Sequence, residues 1–188
     1  MKRTVKFLLS FVLVISLFYP LSASETEAAF KYKKGDILIT DTTSSKGVLG
    51  HSAIYIGDNK VLHTSGWKKE PYPFVMSLKD WTNRYKKRVK VVRYNDSKKA
   101  EKAADMAVKY FKDNKKIKYK VTENPKDIDP NTYCSELVWY SYYKAGVTFK
   151  VPVASIKGWR VPDIIKPNDY LYKPSVEHNK FKIVDDKY

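Results

Sequence analysis

The chain has 188 residues, with 36 lysines and arginines against 20 aspartates and glutamates, a formal net charge of +16. Its 43% apolar content suits one domain with a real core, and its one cysteine excludes an internal disulfide. The lysine excess fits either an anionic partner or a solvated surface that keeps the chain soluble. Lys2, Arg3 and Lys6 precede an apolar run over residues 7–18, Pro20 breaks it, and Ser22, Ala23 and Ser24 follow. A positive start, a short apolar run and small residues form a secretory signal. The run is shorter than the ~20 residues of a spanning helix, so residues 1–24 are expected to be removed, with the cut between residues 23 and 29. That removal leaves 33 basic residues against 20 acidic ones, a charge of +13. Export to the cell wall or the medium makes nucleic acid the least suitable partner and leaves anionic wall polymer or an anionic lipid surface.

Residues 30–188 contain no repeat and no low-complexity linker, and are expected to form one domain. A strand is predicted over residues 37–40 and, after a polar loop, another over 51–56. Gly57-Asp58-Asn59 is a turn signal, and residues 60–64 return as the partner strand. Ser77, three residues before Asp80, caps a short helix carrying Leu78 and Trp81. Residues 88–94 read as a strand. Ser97 is expected to cap a helix to about residue 113, with Ala100, Ala103, Ala104, Ala107, Val108 and Phe111 at helical spacing. Asp129-Pro130-Asn131-Thr132 supplies start signals for a second long helix, and Gly146 ends it. Pro152, Pro162, Pro167 and Pro174 leave room only for short strands afterwards. Strands around two main helices give an α+β class.

Cys134 falls in the first turn of that second helix, where unpaired N–H groups and the positive end of the dipole favour a thiolate. The same N–H groups can hold an oxyanion. A buried structural cysteine also suits that helix face, though the position favours catalysis. A cysteine nucleophile needs a histidine to take its proton. His178 lies in a charged tail and reads as a surface residue, whereas His51 and His63 sit on the two strands of one hairpin. A two-residue loop would place these two on opposite faces of the sheet. A three-residue loop or a bulge would place them on the same face, as diagonal neighbours within roughly 7–8 Å.

Gly35-Asp36-Ile37-Leu38 and Gly50-His51-Ser52-Ala53-Ile54-Tyr55-Ile56-Gly57 resemble the strand–hairpin core of NlpC-type cysteine peptidases. Tyr133-Cys134-Ser135-Glu136-Leu137-Val138 follows that core instead of preceding it. The order is similar to the circularly permuted papain-like branch, which holds the YiiX-like and YycO-like hydrolases and the relatives of lecithin–retinol acyltransferase. The likeness runs over residues 35–172, with Leu78, Trp81, Arg93 and Pro162-Asp163-Ile164 in comparable places. It implies a small antiparallel sheet or barrel packed against the cysteine helix, with Cys134 as nucleophile and His51 as general base. His63 falls where many bacterial members carry glutamate and the acyltransferase relatives histidine, and its implied role is to orient His51.

These parts imply a thiol hydrolase that passes through an acyl-enzyme, without naming the acyl group. An amide in cell-wall peptide is the first expectation, a peptidase or amidase reaction. An acyl bond in a lipid, cleaved or transferred, is the alternative, and a non-catalytic binding module on the same fold is a third. No cofactor is expected. Two histidines twelve positions apart with one distant cysteine match no common zinc spacing. Trp67, Tyr72, Phe74 and Trp159 are candidates for an apolar cleft or for the core.

Overall fold

A computed structural model describes residues 30–43, 50–86 and 88–186. The expected signal segment, residues 1–24, lies outside them. The main sheet has six strands in the order β10-β5-β1-β2-β3-β4, each antiparallel to its neighbours. These are β1 (Ile37–Thr40), β2 (His51–Gly57), β3 (Lys60–His63), β4 (Phe74–Ser77), β5 (Lys90–Tyr94) and β10 (Phe181–Asp186). The helices are α1 (Leu78–Arg84), α2 (Ser97–Phe111), α3 (Cys134–Lys144) and α4 (Lys173–His178). Two minor sheets pair β6 (Lys118–Tyr119) with β7 (Asn131–Thr132) in parallel, and β8 (Val151–Val153) with β9 (Gly158–Arg160) antiparallel. The class is α+β, as the sequence predicts.

The core forms where α2 and α3 pack on each other and on β2. The alanine stripe of α2 is buried, as its period requires. Its small side chains let the helix approach the chain closely: a Cβ added at Gly35 would stand 2.3 Å from the Ala100 carbonyl oxygen. On α3, Leu137, Trp139 and Tyr142 are buried. Burying the Leu137 side chain contributes about 1.5–3 kcal/mol. The Trp139 Nε1–H donates to the Phe149 carbonyl at 3.0 Å, so this indole enters the core with its polar atom satisfied.

Three local expectations differ from what is observed. The cap of α2 is Asp96, one residue earlier than Ser97, because its carboxylate accepts from the Lys99 N–H at 3.1 Å. That helix ends at Phe111, since Lys112 turns extended and Asp113 takes a φ of +59°. Asn131 and Thr132 do not start α3 but pair as β7 with Lys118 and Tyr119, so the helix begins at Cys134.

The hairpin combines a two-residue turn with a bulge. Asp58 and Asn59 both have positive φ, 49° and 53°, as a primed turn demands. Gly57 pairs with Lys60, yet Tyr55 pairs with Val61 and Ile54 with Leu62. The slip at Ile56 is the bulge, and it carries the strand into the register that aligns His63 with Ala53. His51 and His63 therefore share a face.

Candidate active site

Cys134 opens α3 after the N-cap residue Tyr133, which supplies no side-chain cap. The segment around Ile165 anchors this turn. The Ile165 N–H donates to the Tyr133 hydroxyl at 2.9 Å, and Ser135 Oγ donates to the Ile165 carbonyl at 2.7 Å. On the preceding side, the Lys118 N–H donates to the Pro130 carbonyl and the Lys120 N–H to the Thr132 carbonyl. The nucleophile candidate is thus pinned from both directions, while helix-terminal N–H groups remain beside it.

His51 follows Gly50, whose φ of +64° swings the chain into β2. Its ring sits among Trp81, Tyr85 and His63, with centroids 6.2, 5.2 and 5.2 Å away. His51 Nε2 lies 3.0 Å from His63 Nδ1, and both side chains are buried. One of these nitrogens must donate. If His51 is to accept a proton on Nδ1, its Nε2 carries the hydrogen and His63 Nδ1 accepts. His63 then holds its own proton on Nε2, which is buried without a partner. Phe74 closes that side, 4.4 Å from the His63 ring centre.

Burial sets the charge states. It pushes His51 well below the ordinary histidine range, with the Arg84 charge adding to the fall and Glu70 opposing it. His63 is pushed down by burial, then by His51 and Arg84. Burial pushes the Cys134 thiol up, against hydrogen bonds from Ser52 and Ser135 that favour the thiolate. This burial opposes the stabilisation of a thiolate expected at the start of a helix. Both shifts run toward the uncharged forms, a thiol and a neutral imidazole.

A cavity of about 270 Å³ opens at Cys134. Its walls are mostly apolar and include Tyr119, Val121, Ile164, Ile165 and Pro167, with Gly50 beside the start of β2. A larger hollow of about 440 Å³ near Leu78 and Val89 holds neither the cysteine nor a histidine, so volume alone does not mark the site. Tyr119 was not singled out from the sequence. Its side chain lines the cavity together with Cys134, and its phenol is pushed up by burial and then by the nearby Cys134. The alternation Lys116-Ile117-Lys118-Tyr119-Lys120-Val121 is a strand signal that marks it.

The four aromatic candidates do not build a common cleft. Trp67 lies under the Arg84 guanidinium at 4.7 Å, Phe74 backs His63, and Trp159 stacks on the exposed His178 at 3.7 Å. Tyr72 is half-buried, and none of the four lines the cysteine cavity. Among the described residues no group of three or more histidine, cysteine, aspartate or glutamate side chains is placed to hold a metal ion. No described helix is long and apolar enough to cross a membrane.

A family profile described as lipoprotein N-acylation protein LnsA-like matches residues 1–168. A relative from Bacillus thuringiensis, described as an uncharacterized 30.3 kDa protein, is 33% identical over 173 residues. The match covers 86% of this chain and 63% of the relative, so the chain spans somewhat under two thirds of that protein's length. No solved structure matches.

Proposed function

The chain belongs to the LnsA-like lipoprotein N-acylation family, and from that premise we propose that it is an exported acyltransferase of permuted papain-like type, with Cys134 as nucleophile. The carrying observation is the apolar cavity that opens on Cys134, on the helix packed against the strand that starts at His51. Such walls suit a hydrocarbon chain better than a charged wall peptide. The lipid-directed reading therefore ranks above cleavage of a cell-wall amide.

In this reading Cys134 Sγ attacks the carbonyl carbon of an acyl ester while its proton moves to His51 Nδ1. The tetrahedral oxyanion rests on N–H groups at the start of α3 and on the Tyr119 hydroxyl. Collapse breaks the C–O bond, and His51 returns the proton to the departing alcohol. An amine then attacks the Cys134 thioester as His51 removes its proton, the C–S bond breaks, and the proton returns to sulfur. The sum is ester plus amine giving amide plus alcohol. Water in place of the amine gives hydrolysis. His63 is a positioning residue that keeps Nδ1 of His51 free to accept.

The test is intact-mass detection of an acyl adduct after incubation with phospholipid vesicles. The expected adduct is hydroxylamine-labile, maps to Cys134, and forms about 10²–10⁴-fold more slowly in His51→Ala. Absence of the adduct in wild type, or unchanged formation in His51→Ala, sinks the reading.

A further inference from the structure

We propose that the face around the Cys134 cavity docks on an anionic lipid bilayer, with Trp67, Val121 and Ile164 entering the interface and a collar of lysines meeting the headgroups. Among the described residues the exposed large apolar side chains are Trp67, Val121, Ile164, Tyr172 and Ile183. Val121 and Ile164 line the cavity itself. Trp67 lies on a segment that packs beside the cavity residue Tyr119, with its ring under the Arg84 guanidinium at 4.7 Å. Gly66, next to it, packs so tightly on the Tyr119 ring that an added Cβ would stand 2.8 Å away, and the Tyr119 N–H donates to the Pro71 carbonyl at 3.2 Å. Two segments distant in sequence thus present one exposed apolar side chain each at a single opening, and a third carrying the exposed Trp67 packs beside it.

The charges of those segments are unequal. Lys68, Lys69, Lys118, Lys120 and Lys166 are exposed on them. Of the acids there, Glu70 is held by two bonds from Arg84 at 2.9 and 2.8 Å, and Asp163 lies 3.2 Å from Arg160. Glu123, two residues beyond Val121, is a further exposed acid. Apolar tips inside a lysine collar match an anionic bilayer, whose headgroup layer attracts cations and whose boundary accepts tryptophan and aliphatic side chains. A mouth seated there lets an acyl chain pass from the bilayer to the sulfur without crossing water. This purpose rests on the acyl-transfer reading.

The experiment uses the full chain in a Cys134→Ala background, with one environment-sensitive fluorophore placed through Val121→Cys, Ile164→Cys or Lys102→Cys. Lys102 is exposed on α2. Vesicles contain phosphatidylcholine alone or with phosphatidylglycerol. The expected result is blue-shifted emission, at least about twofold brighter, at 121 and 164 on the anionic vesicles, suppressed by high salt and absent at 102. Replacing Lys68, Lys69, Lys120 and Lys166 by glutamine should remove most of that gain. Replacing Lys98, Lys99, Lys102 and Lys109 of α2 in the same way should leave the gain at 121 and 164 intact. The proposal is overturned if the protein stays off the vesicles, or binds them with 121 and 164 still in water. It is equally overturned if both lysine sets act alike, since total charge would then be the cause. The Cys134→Ala chain cannot form an acyl adduct, so a docking failure is separate from a missing adduct in wild type.

Discussion

At the residue scale the site depends on one bond between two rings. In His63→Leu the His51 Nε2–H is left buried and unpartnered, a cost of about 1–3 kcal/mol, and His51 loses the contact that selects its tautomer. Acyl-adduct formation should slow about tenfold or more, with part of the rate restored in His63→Gln, whose amide oxygen can accept the same hydrogen. A rate equal to wild type in His63→Leu would remove His63 from the machinery. Tyr119→Phe should slow the acyl step by about 10²-fold, the effect of losing one oxyanion donor, measured with the fold intact by circular dichroism. Cys134, His51 and His63 stand out as candidates in the sequence because few residues offer that chemistry, and the hairpin does bring the two histidines to 3.0 Å. Tyr119 was not picked out, because it is one of 15 tyrosines and earns its place from a two-residue parallel pairing that closes over distance.

At the element scale two glycines separate strain from function. Gly50 has a φ of +64°, and a Cβ there would stand 3.0 Å from the Thr40 carbonyl and 3.4 Å from Pro167. Gly146, after α3, has a φ of +88° with nothing within 4 Å. Alanine at either position should lower stability by roughly 1–2 kcal/mol through the left-handed backbone. Only Gly50→Ala should also slow adduct formation, because it shifts the entry to β2 and with it His51; thermal melting and adduct rates measured together check this. The start of α3 shows why boundaries were harder to read than elements. Asn131 and Thr132 are good capping residues by type, but pairing with Lys118 and Tyr119 gives their backbone another partner. The bulge at Ile56 was unreadable for a similar reason: Gly57-Asp58-Asn59 permits both registers, and burial of one face selects between them.

At the scale of the whole molecule, buried titrating groups set opposite slopes on stability. Glu136 is fully buried on α3 and its carboxyl is pushed up to about 8, chiefly by burial, from an ordinary 4.5. The fold holds it protonated, so its contribution is complete below 4.5 and lost as pH rises through about 8. His51 and His63 are held neutral, so theirs is complete above 6.5 and lost as pH falls below it. The melting temperature should peak near about pH 6 and fall on both sides. Glu136→Gln should flatten the alkaline side alone; a slope unchanged up to pH 8 would remove Glu136 as its cause. The upward push on the Cys134 thiol bears on redox chemistry as well. Peroxide reacts with thiolate, and this chain holds no second cysteine to rescue a sulfenic acid as a disulfide. A thiol that burial pushes toward its protonated form is less open to irreversible oxidation, and slower in a first attack, than a thiolate would be.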